Sequence, residues 1–175
     1  MSYSPPATNG ILTTTTIRSL DTMGYVPGSS VIVSTAYPLA NLAIYVPFSV
    51  SEPVTAYEGW VVTGTVAGGN FDIGIYSAAG VRLTSSGATA RTASDVNNTT
   101  TMTNYDLKPG LYYYMAFAAD ATSNYFAAAQ VAGLYEVHGV LESTSSYVLP
   151  SGPTLSRTTR AYMPWFGLNL YTVAL

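Results

Sequence analysis

The stretch FDIGIYSAAGVRLTSSG, residues 71–87, decides the fold class of this 175-residue chain. Apolar residues recur at every second position, a turn of small residues follows, and the alternation then resumes. Phe71, Ile73 and Ile75 therefore share one face of a strand, because successive side chains of a strand point to opposite faces. Two such segments joined by a turn at 77–80 are typical of an antiparallel β-hairpin. The stretch predicts an all-β protein.

The composition indicates a protein whose polar surface is built from hydroxyl groups. Charged residues make up 9% of the chain, against about 25% in an average soluble domain. Thr occurs 23 times, Ser 18 times and Tyr 15 times. A surface with so little charge is poorly suited to keep a free monomer in solution, and another protein covers it readily. The composition therefore favours a protein that works in an assembly.

Charge and hydropathy exclude several classes of partner. The formal net charge is −3, and the six basic residues are scattered singly along the sequence. Since no basic stripe exists to neutralise phosphates, we expect no nucleic-acid partner. The longest apolar run, LYYYMAFAA at 111–119, is about half the length needed to cross a bilayer. The first residues lack the pattern of a signal peptide, so we expect no membrane partner and synthesis in a cytoplasm.

Residues 1–36 are predicted to form an extended N-terminal arm. This segment is rich in Ser, Thr, Pro and Gly, but short apolar pieces interrupt it. One interpretation is a disordered tail followed by an edge strand, and the other is an arm whose apolar pieces dock on a neighbouring subunit. In the second case, deleting residues 1–20 should leave the melting transition of the body unchanged. The candidate interface anchors are Ile11, Leu12, Ile17 and Leu20.

Residues 37–175 are predicted to form one antiparallel β-sandwich domain, jelly-roll-like in its connections. Short strands follow one another with turns between them and without amphipathic helices, as in such folds. Residues 84–104 carry few apolar side chains and are predicted to be a long surface loop, whereas residues 125–137 are compatible with a strand or a helix. The predicted inner face comprises Trp60, Val62, Phe71, Ile73, Ile75, Leu83, Leu111, Tyr113, Met115 and Phe117.

The sequence offers few residues for catalysis or metal binding. His138 is the only histidine, cysteine is absent and no GxSxG motif occurs. A nucleophile–base pair and a zinc site therefore both lack their usual residues. Two acidic pairs have even spacing, Glu52 with Glu58 and Glu136 with Glu142. On a continuous strand each pair would lie about 20 Å apart, too far for glycoside hydrolysis. We expect no enzyme activity, no catalytic residues, no metal and no cofactor.

Tyr112 and Tyr114 are the remaining candidate interface residues. They alternate with the predicted core face of the segment 111–120, so they are expected on the outer surface of a sheet. Three interpretations are open. Tyr simply suits strands, exposed aromatic rings are buried against protein partners, and rows of such rings stack on sugars.

Two segments resemble parts of a known class of protein. GNFDIGIYSAAGVRLTSSGATA (69–90) and DLKPGLYYYMAFAADAT (106–122) resemble segments in virion structural proteins of tailed bacteriophages. These are small β-sandwich proteins on the capsid exterior or the tail. The resemblance lies in the pattern GIY-x-x-x-G-x-R-L followed, some twenty residues on, by L-x-P-G-L-Y-Y.

The resemblance implies a capsid decoration (cement) protein, or a related head or tail component, located in the virion. It implies a homo-oligomer, with a trimer favoured, and the major capsid protein or other virion proteins as partners. It also implies no enzyme activity and no cofactor. The same hairpin pattern occurs in carbohydrate-binding sandwiches, so the alternative is a carbohydrate-binding module on a phage host-recognition appendage, with a surface glycan as its partner.

Overall fold

A computed structural model describes most of the chain. The described residues are 12–22, 32–66, 68–92, 94–128, 134–144 and 146–173. Within these ranges the strands and short helices are β1 (Leu12–Arg18), α1 (Ser19–Thr22), β2 (Ile32–Ala36), β3 (Ala43–Phe48), β4 (Val54–Val62), β5 (Asn70–Ser77), β6 (Arg82–Ser85), β7 (Thr89–Ala90), β8 (Asn97–Leu107), β9 (Tyr113–Ala119), β10 (Asn124–Ala128), α2 (Leu134–Val137), β11 (Leu141–Ser143), β12 (Ser156–Arg157), β13 (Met163–Pro164) and β14 (Phe166–Val173).

Hydrogen bonding groups these strands into three antiparallel sheets. A four-stranded sheet has the order β1-β14-β4-β8. A larger sheet has the order β12-β11-β3-β9-β5-β6, and β7 pairs with the start of β5. The third sheet has the order β13-β10-β2. The prediction of an all-β, antiparallel sandwich is confirmed, and the jelly-roll-like connectivity stays a prediction.

The main core lies between the four-stranded sheet and the larger sheet, with Phe117 of β9 near its centre. The Phe117 ring centroid lies 5.5 Å from that of Phe166, 5.0 Å from Tyr125 and 5.4 Å from Tyr37. These contacts join three elements of the sandwich through one side chain. Six predicted inner-face residues are buried here: Phe71, Ile73, Ile75, Tyr113, Met115 and Phe117.

A bulge in β4 places Trp60 and Val62 outside the main core. In the pairing of β4 with β14, Ala56 lies opposite Leu170 and Glu58 opposite Asn169, so β4 has one extra residue there. A bulge changes which of the following side chains point inward. Val61 therefore lies in the main core, and Trp60 is buried on the opposite face of the sheet. The inner-face prediction is wrong at these two positions, because simple alternation takes no account of a bulge.

The predicted long surface loop at 84–104 is wrong. β8 begins at Asn97 and pairs with β4, and the end of β6 and all of β7 also lie within residues 84–104. About half of the predicted loop therefore belongs to strands. Met102 and Leu107 are buried on the inner face of β8, and Thr residues occupy many of its exposed positions. The prediction gave weight to the missing apolar residues, although β-branched Thr suits a strand with one exposed face.

The strand at 111–120 begins later than its pattern indicates. β9 starts at Tyr113, so Leu111 precedes the strand and is 51% exposed. Its assignment to the inner face is therefore wrong. The ambiguous segment 125–137 contains the end of β10 as well as the short helix α2.

The described part of residues 1–36 is folded into the body of the protein. β1 pairs along its whole length with β14, and Arg18 lies opposite Gly167. Leu20 of α1 is 3% exposed and belongs to the main core, and β2 pairs with β10. The body thus starts at β1 rather than at residue 37, because the edge of β14 takes its partner strand from the same chain. Residues 1–11 and 23–31 lie outside the described residues.

A second, smaller core lies on the other face of the larger sheet. Residues 146–155, which we call the strap, cross this face after β11. The Tyr76 hydroxyl donates a hydrogen bond to the Pro150 carbonyl at 2.6 Å, and the Arg82 backbone N–H donates to the Ser151 carbonyl at 2.9 Å. β5 is consequently buried on both faces. The buried side chains of this outer core are Ala43, Tyr45, Tyr76, Ala116, Ala118 and Leu149.

Asp72 is a fully buried carboxylate that holds the strap against β5. Its Oδ2 accepts a hydrogen bond from the Leu149 backbone N–H at 3.0 Å, and its Oδ1 accepts one from Ser86 Oγ at 3.1 Å. Burial raises the pKa of Asp72 above its ordinary value. The hydrogen bonds and the positive charge of Arg82 oppose that rise in part. When the pKa of an acid is raised in the folded state, the folded protein loses stability as the pH rises through that pKa.

We therefore expect Asp72→Asn to change how stability depends on pH. Asp72 should contribute most to the free energy of unfolding of the parent protein at a pH below its unfolded-state pKa, where it is protonated. This contribution should be lost as Asp72 ionises. Asn keeps an acceptor for Leu149 and carries no charge to desolvate. The free energy of unfolding of the variant, relative to the parent, should rise between about pH 3 and pH 7. Urea unfolding across that range measures the difference, and a difference that stays constant or falls would contradict the prediction.

Candidate interaction surfaces

The structure places Tyr112 just before β9 and Tyr114 within it, beside the outer core. Tyr112 is 55% exposed, whereas Tyr114 is half-buried and packs against the outer core. Their ring centroids are 6.3 Å apart and their planes meet at 80°. Burial raises the pKa of Tyr114, and the neighbouring Tyr112 adds to that rise. Tyr112 is therefore the ring of this pair that is open to a partner.

Tyr112 belongs to a group of exposed apolar side chains at one end of the larger sheet. Val81, Leu111 and Tyr112, which we call the Tyr112 patch, are 54%, 51% and 55% exposed. The turn that carries Val81 meets the start of β9, because Ser77 pairs with Tyr113 and the Val81 N–H donates to Ser77 Oγ at 3.2 Å. Single exposed apolar residues are ordinary, but several together mark contacts with other proteins.

The outward face of the four-stranded sheet carries a second candidate surface. Paired residues of neighbouring strands form three rows across this face. The rows are Trp165, Val62 and Asn97, then Arg18, Gly167 and Trp60, and then Thr16, Asn169 and Glu58. A pocket of about 290 Å³ lies among these rows, and we call it the tryptophan pocket. It is lined by Thr16, Arg18, Trp60, Val62, Asn97, Trp165 and Asn169.

Gly167 leaves room for the Trp60 ring in this pocket. A Cβ atom at position 167 would lie 2.7 Å from Cζ2 of the Trp60 indole, closer than real contacts allow. The ring of Trp165 stands almost perpendicular to that of Trp60, at 83° with 6.2 Å between centroids. Trp60 is only 5% exposed, and its Nε1–H is buried without an acceptor among the described residues.

Polar groups surround the two indole rings. Thr16 Oγ1 donates to Asn169 Oδ1 at 2.9 Å, and Asn169 Nδ2 donates to Glu58 Oε1 at 2.6 Å. Arg18 pairs with Asp21 at 3.4 Å on the exposed edge of the pocket. The pocket thus combines two aromatic surfaces with amide, hydroxyl and guanidinium groups.

A larger groove of about 920 Å³ lies at one end of the same sheet, where β4 begins and β8 ends. Glu52, Lys108 and Tyr171 line it, and Thr55 Oγ1 donates to Asp106 Oδ1 at 2.7 Å. Its lining is mostly apolar despite these polar groups.

The two members of each acidic pair taken from the sequence have different contacts. Glu52 lines the groove, whereas Glu58 accepts from Asn169 on the sheet face. Glu136 pairs with Arg157 at 3.5 Å, and Glu142 pairs with Arg160 at 3.1 Å. His138 is exposed.

The described residues hold neither a metal-ligating cluster nor a membrane-spanning helix. In that part of the chain, no group of three or more His, Cys, Asp or Glu side chains could hold a metal ion. No helix there is long and apolar enough to cross a membrane.

The candidate anchors of the N-terminal segment have three different outcomes. Ile17 is partly buried and Leu20 fully buried against the core of their own chain, so the expected contact with a neighbour is replaced by a contact within the chain. Leu12 begins β1 opposite Val173. Ile11 lies outside the described residues.

Comparisons with protein-family models, with curated proteins and with solved structures find no match to this chain.

Most residues of the tryptophan pocket were not predicted from the sequence as a binding site. Trp165, directly before β14, and Gly167 and Asn169 within it occupy alternate positions and face outward, while Phe166 and Leu168 between them are buried in the main core. This period of two was visible in the sequence and could have identified one side of the pocket. The contributions of β1 and β8 had no such signal, because they depend on which strands become neighbours.

Proposed function

We propose that this protein is a non-enzymatic structural protein that acts by assembling with copies of itself and with neighbouring proteins of a larger particle. The Tyr112 patch is the observation that carries the proposal. Its three side chains are each more than half exposed at one end of a sheet. Burying them against another protein would remove apolar area from water, which is the main favourable term in protein association.

The low charge of the chain supports the same proposal. With 9% charged residues, a contact can cover much of the surface without desolvating ions, which is costly. Hydroxyl groups, by contrast, adapt to hydrogen bonds across an interface or through bridging water. The surface is therefore suited to close contact over large areas.

The kind of particle rests on the sequence resemblance. The segments at 69–90 and 106–122 support a virion structural protein, a capsid decoration protein or a related head or tail component. The partners would then be the major capsid protein or other virion proteins, with a homotrimer as the favoured oligomer. Electron microscopy of the parent particle tests this: the proposal expects the chain at repeated positions on its surface.

The alternative function is a carbohydrate-binding module on a host-recognition appendage. At the end of the larger sheet Tyr114 is half-buried, so of the two tyrosines Tyr112 alone offers a mostly exposed ring for stacking. One observation does favour saccharide binding elsewhere, namely the pair of tryptophans on the four-stranded sheet.

Replacing Tyr112 by Ser tests the assembly proposal. A buried Tyr at the centre of an interface contributes about 2 kcal/mol or more, so the dissociation constant of the oligomer should rise about 30-fold. Sedimentation equilibrium of the full chain over a range of concentrations measures this constant. The matched control is Val66→Ser, which removes a 54% exposed side chain before β5, at the far end of that strand from the patch. A monomeric parent, or equal effects of both changes, would overturn the proposal.

A further inference from the structure

We infer that the tryptophan pocket binds a single neutral hexopyranose unit of a saccharide. This site is on the four-stranded sheet, away from the Tyr112 patch on the larger sheet, and its function does not depend on assembly. The inference rests on the composition of the pocket, on its size and on the way its charges are already paired.

The two indole rings supply the apolar part of the site. One face of a pyranose ring carries mainly C–H groups, which are attracted to the electron-rich face of an aromatic ring. Trp165 is half-buried and stands at 83° to Trp60, so the two rings form a corner rather than a flat surface. Trp60 is 5% exposed and closes the floor of the pocket, so the half-buried Trp165 supplies the ring face that is open to a sugar.

The polar groups of the pocket suit hydroxyl groups. The exposed amide of Asn97 offers both a donor and an acceptor, as does the hydroxyl of Thr16. Asn169 is fixed in orientation by Thr16 and Glu58, at 2.9 Å and 2.6 Å, so its amide is held in place before a ligand arrives. Fixed side chains reduce the ordering cost of binding. The Nε1–H of Trp60 is buried and has no acceptor among the described residues.

The charges of the pocket argue against an anionic ligand. Among the described residues that line it, Arg18 alone has a positive charge, and Arg18 is paired with Asp21 at 3.4 Å. The carboxylate of Glu58 accepts from Asn169 at the pocket edge and would repel a second anion. A phosphate or carboxylate ligand would therefore compete with Asp21 for Arg18 and would be repelled by Glu58. A neutral ligand with several hydroxyl groups meets neither cost.

The size of the pocket limits the ligand to one ring. Its volume of about 290 Å³ is at the lower limit of the range of about 300–1,000 Å³ typical of small-molecule sites. One sugar ring fits such a volume, and further rings of an oligosaccharide would extend over the exposed sheet face. We therefore expect weak binding of monosaccharides, with dissociation constants in about the millimolar range.

The chain provides its own probe for this site. It contains two tryptophans in all, and both line the pocket. Tryptophan fluorescence and the two indole N–H resonances therefore report on this pocket alone. The full chain is titrated with glucose, galactose, mannose and N-acetylglucosamine, and separately with glucuronic acid and adenosine monophosphate. We expect saturable changes with at least one neutral sugar, and changes at least about tenfold weaker with the two anions.

Substitutions in the tryptophan pocket test whether the responding sugar binds there. Asn97→Ala should weaken binding of the responding sugar about 2- to 10-fold, the range expected for one lost hydrogen bond. The matched control is Asn104→Ala, an exposed asparagine on the same strand that bonds Tyr171 at 3.2 Å outside the pocket. Trp165→Ala should abolish the response of the remaining indole, with circular dichroism to confirm that the variant is folded.

Three results would overturn the inference. The first is that none of the neutral sugars moves either indole resonance at molar concentration. The second is that Asn97→Ala and Asn104→Ala weaken binding equally. The third is that adenosine monophosphate or glucuronic acid binds as well as the neutral sugars. None of these results bears on the Tyr112 patch, so the proposed assembly function is tested separately.

Discussion

Leu20→Ala is expected to lower the free energy of unfolding by about 2–5 kcal/mol, the usual cost of truncating a buried Leu. Leu20 is 3% exposed and packs in the main core, although it lies in a segment whose sequence resembles a flexible arm. In the same helix, Ser19 Oγ donates to the Pro164 carbonyl at 2.7 Å and accepts from the Phe166 N–H at 3.3 Å. The helix thus fixes the start of β14 to the core.

The matched control is Asp21→Ala in the same helix. Asp21 forms an exposed ion pair with Arg18 at 3.4 Å, and such pairs contribute about 0–1 kcal/mol. Urea denaturation of both variants, followed by circular dichroism, gives the two free energies. Equal and small losses would mean that α1 is not part of the folded body, as the arm interpretation expects.

Removing residues 1–22 should have a still larger effect. The deletion takes away β1, which covers the edge of β14 along seven residue pairs, together with the buried side chain of Leu20. The loss would be comparable to the total stability of many domains, about 5–15 kcal/mol. We expect this truncated chain to be largely unfolded, whereas the arm interpretation expects an unchanged melting transition.

Phe117→Ala is the second change with a large expected effect, a loss of about 3–5 kcal/mol. The ring contacts aromatic side chains from several directions, among them Phe166 at 5.5 Å and Tyr125 at 5.0 Å between centroids. Truncation would leave a cavity where the four-stranded sheet and the larger sheet meet. Because both sheets line the cavity, neither can close it without moving the other.

The comparison for Phe117→Ala is Leu39→Ala, since Leu39 is 41% exposed on the turn before β3. Its truncation should change the free energy of unfolding by less than about 0.5 kcal/mol. Thermal and urea unfolding of both variants measure the contrast. A loss below about 1 kcal/mol for Phe117→Ala would contradict the packing of the two sheets on one core.

The alternation of residues along single strands was enough to predict the fold class. It placed Phe71, Ile73 and Ile75 in the core, and it did the same for Met115 and Phe117. This works because the side chains of a strand point alternately to two faces, whatever lies opposite them. The prediction needs no knowledge of other strands.

The tertiary structure decided everything that depends on which segments become neighbours. The alternation of β5 predicts Asp72 and Tyr76 on the solvent-exposed face of the strand. In the structure the strap covers both residues and forms the outer core with them. The alternation predicts Trp60 in the core, but the extra residue of β4 relative to β14 turns Trp60 to the opposite face. Neither the strap nor the bulge has a signal in the alternation of β4 or β5 themselves.

The same reason explains why only one side of the tryptophan pocket was predictable. The alternation along residues 165–169 puts Trp165, directly before β14, on the same face as Gly167 and Asn169 within it. Arg18 comes to lie opposite Gly167 only when β1 adds to the edge of β14, and Trp60 lies on its other side only because β4 pairs there. Hydrogen bonding between strands that are distant in the sequence, rather than any local preference, brings Arg18, Gly167 and Trp60 together.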